Sequence, residues 1–206
     1  MNLKAVIFDM DGVIIDSEPI ESSAWKKVLK EYGKTPILND NGLIHIVGKT
    51  SLEWVMERHG LNEDPEIVRA RKRKIFGELV VKNLVSKPGF TKLFNALKKS
   101  KFKLALASNR FDQHIFLIAD KLKIRTSFKA IIGNSTGVRT KPAPDIFLKA
   151  AEKLQVNPGS CLVIEDSEHG VIAAIRAGMK VIAVPNKWTA DQNFSKADKI
   201  VTAYRK

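Results

Sequence analysis

The apolar positions of this chain form short runs separated by longer amphipathic stretches, an order that predicts an α/β fold. Short apolar runs typical of buried strands begin near residues 4, 103, 130, 161 and 180. In most of the intervals between them, apolar residues recur at the three- and four-residue spacing of helices. Strands that alternate with helices pair in parallel and are covered on both faces. We therefore expect a doubly wound, Rossmann-like parallel sheet.

One part of the chain departs from this alternation. After the first strand, the pattern predicts three helices with no strand among them, at Glu18–Tyr32, Ser51–His59 and Pro65–Val81. Pro88 and Gly89 then mark the return to alternating strands and helices. We expect an α-helical cap domain over residues 17–85, inserted into a core formed by residues 1–16 and 86–206.

Two carboxylates, Asp9 and Asp11, follow the first apolar run, with Gly12 directly after them. Alternate side chains of an extended strand project to the same side, so these two carboxylates should leave the strand together. Their mutual repulsion needs a cation or a shared proton to offset it. Mg²⁺ is the natural cation because it prefers hard oxygen ligands. The plain alternative is a strand that ends in an ordinary acidic turn.

Further polar groups stand at strand ends or helix starts later in the chain. They are Ser108 and Asn109 after a strand, Lys141 before a helix, and Glu165 and Asp166 after another strand. Ligands of open parallel sheets bind outside the carboxyl ends of the strands, which favours one shared site for these groups. The plain alternatives are a helix N-cap for the acidic segment and a surface position for Lys141.

The ordered motifs resemble those of the haloacid dehalogenase-like (HAD) hydrolases, most closely their beta-phosphoglucomutase-like and sugar-phosphatase branch. The matching motifs are Asp9-x-Asp11-Gly12, Ser108-Asn109, Lys141 and Glu165-Asp166. The resemblance spans nearly the whole chain. It implies a doubly wound core, a helical (C1) cap that closes over the site, and Mg²⁺-dependent phosphoryl chemistry.

The resemblance and the demands of phosphoryl transfer suggest a role for each motif. Asp9 is the expected nucleophile, which would carry the phosphoryl group as an aspartyl phosphate. Asp11 is the expected general acid and base, serving first the leaving alkoxide and then the attacking water. Lys141 would supply positive charge, while Ser108 and the backbone N–H of Asn109 would donate to phosphoryl oxygens.

The expected Mg²⁺ ligands come from the same motifs. Asp9 and Asp166 would offer side-chain oxygens, and Asp11 its backbone carbonyl. Glu165 would bind directly or through water, a choice that the sequence leaves open. In the cap, Gly48 and Lys49 precede a predicted helix at the position where relatives carry a substrate-specificity loop. There, backbone N–H groups could meet an anion; the plain alternative is a helix start with a surface lysine.

Departures from the resemblance favour a phosphatase. The sugar phosphomutases of the branch carry Lys, Arg and His at the positions that here hold Val47, Ser51 and Glu21. Asp11 argues against dehalogenation, because a leaving halide needs no proton. We expect hydrolysis of a small phosphomonoester, such as a sugar phosphate, with the exact substrate left open. A phosphomutase is the first alternative, and a non-catalytic or nucleic-acid-binding protein on the same fold is the second.

Composition bears on partners and location. The formal net charge of +13 could attract nucleic acid. The densest basic run, residues 69–74, has apolar neighbours at helical spacing, which favours a solvated helix face. No apolar run approaches the ~20 residues that span a bilayer, and the single Cys161 cannot form an internal disulfide. We expect a cytoplasmic protein with a phosphorylated small-molecule substrate, no membrane or nucleic-acid partner, and a monomeric state favoured over oligomers.

Overall fold

The computed structural model describes residues 2–39, 44 and 52–202. Its strands are β1 (Ala5–Phe8), β2 (Lys103–Ala107), β3 (Ala130–Ile132), β4 (Cys161–Glu165), β5 (Lys180–Ala183) and β6 (Lys199–Ile200). They form one sheet in the order β3-β2-β1-β4-β5-β6, and every neighbouring pair is parallel. The predicted doubly wound parallel sheet is confirmed, since the order grows outward from β1 in both directions.

The helices of the described residues follow the predicted pattern closely. They are α1 (Glu18–Glu31), α2 (Leu52–Arg58), α3 (Pro65–Asn83), α4 (Phe90–Lys99), α5 (Asp112–Lys121), α6 (Asp145–Leu154) and α7 (Glu168–Arg176). Short 3₁₀ helices lie at Arg125–Ser127, Asn134–Thr136 and Pro158–Ser160. Among these residues, no helix combines the length and the apolar character needed to cross a membrane.

The central strand β1 has side chains buried on both faces of the sheet. Ile7 belongs to a buried cluster that includes Phe147 of α6 and Val171 of α7. Phe8 points to the opposite face, where its ring packs edge-on against Phe90 of α4 at a centroid distance of 5.8 Å. Alternate side chains of a strand face opposite ways, so Ile7 and Phe8 pack on opposite faces of the sheet and anchor the end of β1 from both sides.

The chain divides into two compact units. The core unit consists of residues 1–16 and 85–206, and it contains the sheet with α4 to α7. The helical unit consists of residues 17–84, and it contains α1, α2 and α3. Within the helical unit, α1 packs against α3.

Ion pairs engage several members of the basic run inside the helical unit. Arg71 of α3 binds the Glu31 carboxylate of α1 through Nε at 2.7 Å and through Nη2. Lys72 binds Glu21 of α1, and these two side chains are only 19% and 11% exposed. The Lys72 ammonium also lies 5.9 Å from the centroid of the Trp25 ring. Glu21, at the position where the resembling enzymes carry a histidine, thus connects α1 to α3.

Candidate active site

The candidate site lies at the carboxyl ends of three adjacent strands of the core unit. β1 pairs with β2 on one side and with β4 on the other, so that Phe8 lies beside both Leu106 and Ile164. The residues that follow these three positions therefore emerge at the same edge of the sheet. This register brings Asp9 close to the motif residues that follow β2 and end β4.

A buried lysine links two of the predicted carboxylates. Lys141 Nζ donates a hydrogen bond to Asp9 Oδ1, another to Glu165 Oε1 at 2.7 Å, and a third to the Ala107 carbonyl at 3.1 Å. The Lys141 backbone N–H donates to Asn109 Oδ1 at 3.1 Å. The loop after β2 and the loop before α6 are thereby joined at the site.

The electrostatics of this pair follow from burial and crowding. Burial raises the pKa of Asp9 to about 7; Lys141 opposes the rise, while the charges of Glu165 and Asp11 add to it. Burial alone would lower the pKa of Lys141, but Asp9 and Glu165 outweigh it and hold that pKa above its ordinary value. Lys141 therefore stays charged at neutral pH, whereas Asp9 is held close to its titration point.

Both carboxylate oxygens of Glu165 accept hydrogen bonds from other groups of the protein. Oε1 accepts from Lys141, while Oε2 accepts from the backbone N–H of Asp166, the N–H of Ser167 and the Ser167 hydroxyl, at 2.8, 2.8 and 2.9 Å. A Cβ placed on Gly170 would lie 1.8 Å from Oε1, so only glycine leaves room for this carboxylate. Ser167 Oγ also caps α7 by accepting from the Gly170 N–H. Direct metal binding through Oε2 would require one of these hydrogen bonds to break.

Asp11 is bound on both oxygens by Arg110, a residue that the sequence analysis missed. Arg110 Nε donates to Oδ2 at 2.9 Å, and Nη2 donates to Oδ1 at 2.6 Å. The Arg110 side chain is 10% exposed and that of Asp11 is 34% exposed. Arg110 directly follows the Ser108-Asn109 motif, and this position in the sequence could have identified it as a candidate site residue. Its backbone N–H donates to the buried hydroxyl of Ser108 at 3.2 Å.

Asp166 lies against the turn that follows Asp11. Its Oδ2 accepts from Asn186 Nδ2 at 2.7 Å, and it closely approaches the α carbon of Gly12. Lys87 donates to the Gly12 carbonyl. Burial lowers the pKa of Lys87, with the charges of Asp166 and Asp16 opposing that shift.

The sequence analysis also missed Asn186 and Lys87, the two neighbours of the Gly12 turn. Asn186 follows β5, and the strand-end rule that selected the earlier motifs could have found it. Lys87 carries no such signal, because it simply precedes Pro88 and Gly89.

The donor groups fit Mg²⁺. Within residues 2–39, 44 and 52–202, no three acidic, histidine or cysteine side chains are grouped so as to hold a metal by themselves. Mg²⁺ needs fewer, since it commonly uses one or two carboxylates and fills its other positions with water and substrate oxygens. Burial and the charges of Glu165, Asp9 and Asp11 raise the pKa of Asp166 well above its ordinary value. A divalent cation between Asp9 and Asp166 would offset that repulsion.

The structure brings together most of the predicted site residues. Asp9, Lys141 and Glu165 are in direct contact, and Asn109 contacts Lys141. Asp11 is connected to Ser108 through Arg110. The predicted cap residues Gly48 and Lys49 lie outside the described residues, as do Val47 and Ser51.

Comparison with known proteins identifies the family of the chain. The chain matches the model of the haloacid dehalogenase-like hydrolases over residues 3–178. It is 35% identical over 191 residues to the beta-phosphoglucomutase of Bacillus subtilis, covering 88% of this chain and 83% of that protein. It is 32% identical over 186 residues to the phosphorylated carbohydrates phosphatase of Thermotoga maritima, covering 87% and 84% of the two chains.

The crystal structure of CbbY from Rhodobacter sphaeroides in complex with phosphate superposes with a TM-score of 0.86, covering 98% of this chain and 95% of that one. At 22% identity, this likeness shows the fold alone. The match to the family model covers most of the chain and includes the motifs at Asp9, Ser108, Lys141 and Glu165. The chain therefore belongs to the haloacid dehalogenase-like hydrolase family of enzymes.

Proposed function

We propose that this chain is a Mg²⁺-dependent phosphatase that hydrolyses a small phosphomonoester through an aspartyl phosphate on Asp9. One observation carries the proposal: the buried ammonium of Lys141 binds Asp9 Oδ1 and is held in place by Glu165. A nucleophilic carboxylate must approach an anionic phosphoryl group, and a fixed positive charge beside it reduces their repulsion.

In the first proposed step, an Asp9 oxygen forms a bond to phosphorus while the bond from phosphorus to the leaving oxygen breaks. Asp11 gives its proton to the departing alkoxide, which leaves as an alcohol. Ser108 and the Asn109 N–H donate to the phosphoryl oxygens. Asp11, now ionised, is ready to act as a base.

In the second proposed step, Asp11 takes a proton from water as the water oxygen attacks phosphorus. The bond between phosphorus and Asp9 breaks, which releases inorganic phosphate and restores both carboxyl groups to their starting forms. Lys141 stays beside Asp9 throughout and stabilises it as the leaving group of this step.

Asp9, Asp166 and the Asp11 carbonyl would hold the Mg²⁺. When bound, the ion supplies positive charge to the phosphoryl oxygens and to the nucleophile. The role that we assign to Glu165 is to anchor Lys141 and the start of α7, because both of its oxygens already accept hydrogen bonds. A contact from Glu165 to the ion would run through water.

The test compares wild type and Asp9→Asn in Mg²⁺-dependent hydrolysis of p-nitrophenyl phosphate. The amide lacks the nucleophilic charge, so we expect turnover to fall by at least about a thousandfold. Asp120→Asn is the matched control, because Asp120 lies on α5 and pairs only at the surface with Arg125. Full activity of the Asp9→Asn variant would overturn the nucleophile assignment.

We also propose that the helical unit is the cap, with Gly48 and Lys49 in its substrate-specificity loop. The Thermotoga maritima relative is named for phosphorylated carbohydrates, and we extend that substrate class to this chain. A panel of sugar phosphates, phosphoglycolate, glycerol phosphate and nucleotide-derived phosphates would rank the candidates. A cytoplasmic, monomeric state is part of the proposal and is tested by fractionation and size-exclusion chromatography.

A phosphomutase is the second candidate, favoured by the 35% identity to a beta-phosphoglucomutase. It predicts isomerisation of a hexose 1-phosphate when a hexose bisphosphate is supplied as activator. The hydrolase proposal predicts release of inorganic phosphate from the same mixture without isomerisation. Val47 and Ser51 support hydrolysis, because the mutases of the branch carry Lys and Arg at these positions.

A further inference from the structure

The three N–H donors of the Lys141 ammonium are all in use. An ammonium has three donors, and those of Lys141 bind Asp9, Glu165 and the Ala107 carbonyl. A donation from Lys141 to a phosphoryl oxygen would break one of these hydrogen bonds inside the protein. Direct donors to the phosphoryl group must therefore come from residues other than Lys141, and a second cationic side chain of the core unit could add to Ser108 and the Asn109 N–H.

Arg110 is positioned to supply them. Its backbone N–H binds Ser108 Oγ, so its side chain starts from the loop to which we assign phosphate binding. Its guanidinium makes two parallel hydrogen bonds to Asp11, whose side chain is 34% exposed. The same planar arrangement of donors fits two oxygens of a phosphate as well as two oxygens of a carboxylate.

We propose that Arg110 is a phosphate-binding residue that exchanges between two anionic partners, the Asp11 carboxylate and the phosphoryl group. Phosphate draws the guanidinium away from Asp11 and leaves that carboxylate free to face the substrate. The inference rests on the proposed function for the position of the phosphoryl group. It is supported by the two hydrogen bonds from Arg110 to Asp11 and by the use of all three Lys141 donors within the protein.

Binding of inorganic phosphate in the presence of Mg²⁺, measured by isothermal titration calorimetry, tests the exchange without any turnover. The proteins compared are wild type, Asp11→Asn, Arg110→Gln and the double variant. We expect Arg110→Gln to weaken phosphate binding about tenfold, because charged hydrogen bonds are lost. We expect Asp11→Asn to tighten it several-fold, because Arg110 loses its competing partner.

The double variant separates exchange from simple charge removal. If Arg110 exchanges, the gain from Asp11→Asn disappears once Arg110 is replaced. If that gain persists in the double variant, or if Arg110→Gln binds phosphate like wild type, the exchange is refuted. Arg125→Gln is the matched control, since Arg125 also pairs with an aspartate of the core unit but at an exposed position, and it should bind phosphate like wild type.

Thermal unfolding verifies that each variant is folded. If Arg110→Gln and its combination with Asp11→Asn do not fold, Arg110→Lys, alone and combined with Asp11→Asn, takes their place. Lysine keeps the charge but not the two-point geometry, so an intermediate phosphate affinity is expected, and wild-type affinity would refute the exchange. The outcome is distinct from that of the nucleophile test. If wild type and Arg110→Gln bind phosphate equally and Asp9→Asn is inactive, only the exchange is refuted. If Asp9→Asn is active, the proposed function is refuted.

Discussion

The carboxylate of Asp166 lies directly against the α carbon of Gly12. A Cβ placed on Gly12 would be 1.7 Å from Asp166 Oδ2 and 2.3 Å from its Cγ. Gly12 also has a φ of +72°, a conformation that side-chain-bearing residues rarely adopt. The glycine therefore serves both the turn after Asp11 and the position of a proposed metal ligand.

Replacing Gly12 by alanine should displace Asp166 and weaken Mg²⁺ binding by at least about tenfold, because a ligand is moved. The measurement is the rise in melting temperature on adding Mg²⁺, together with phosphatase activity. Gly178→Ala is the control, since Gly178 has the same φ of +72° and nothing within 4 Å of its built Cβ. That control should lose about 1 kcal/mol of stability yet keep its response to Mg²⁺; equal Mg²⁺ responses in the two variants would contradict the prediction.

Asn186→Ala should lower Mg²⁺ affinity about tenfold, because the amide that orients Asp166 through a 2.7 Å hydrogen bond is lost. Activity should recover at high Mg²⁺ concentration, which a loss of folding would not permit. The Mg²⁺ concentration at half-maximal activity measures the effect. Asn95→Ala, at an exposed position of α4, is the control. An unchanged half-maximal Mg²⁺ concentration for Asn186→Ala would show that the hydrogen bond from Asn186 does not contribute to metal binding by Asp166.

The metal-free protein should lose stability as the pH rises from about 4 to about 7. Burial raises the pKa of Asp9 from 3.8 to about 7, against the opposition of Lys141 and with help from the charges of Glu165 and Asp11. In this window the unfolded chain has released the proton while the folded chain still holds it, so raising the pH favours unfolding. Since Mg²⁺ competes with that proton, its stabilising effect should be larger at pH 8 than at pH 5. Melting temperatures with EDTA and with Mg²⁺ would reveal this, and a pH-independent Mg²⁺ effect would rule it out.

Cys161 should resist thiol reagents in the folded protein. Burial raises the pKa of this thiol to about 11, so only about one molecule in a thousand carries the reactive thiolate at pH 8. The expected result with Ellman's reagent is negligible native labelling and one thiol per chain in guanidinium chloride, since the sequence has a single cysteine. Labelling of the native protein as fast as glutathione would contradict the buried placement.

Lys72→Met should destabilise the helical unit by about 2 kcal/mol, because it removes the ammonium that binds the mostly buried Glu21 carboxylate. Adding Glu21→Gln should recover part of the loss. Urea unfolding followed by circular dichroism measures both effects. Lys74→Met is the control, because Lys74 is exposed on the same helix. If the two single lysine variants unfold alike, the pair contributes no stability.

The fold could be predicted because its main signals are local. The apolar run at β1 and the amphipathic spacing of α6 each specify an element without reference to the rest of the chain. β6 carries no such signal, because it has two residues and both are exposed. It pairs with β5 mainly through backbone hydrogen bonds, which the sequence does not reveal.

The candidate site could be predicted only to the level of its strand ends. The rule for parallel sheets was enough to select Asp9, Lys141 and Glu165 for one neighbourhood. Which cation meets which carboxylate depends on loop geometry, and nothing in the residue order indicates that Arg110 binds Asp11 while Lys141 binds Asp9. The two pairings join groups that are 99 and 132 residues apart in the sequence.

The helical unit is one uninterrupted excursion of the chain, which leaves the core unit after Asp16 and rejoins it at Val85. Asp9, Asp11, Arg110, Lys141, Glu165, Asp166 and Asn186 all belong to the core unit. Two recombination points in the gene would therefore exchange the entire excursion for another. The descendant would keep the proposed catalytic groups unaltered, so the inserted segment could diversify without changing them.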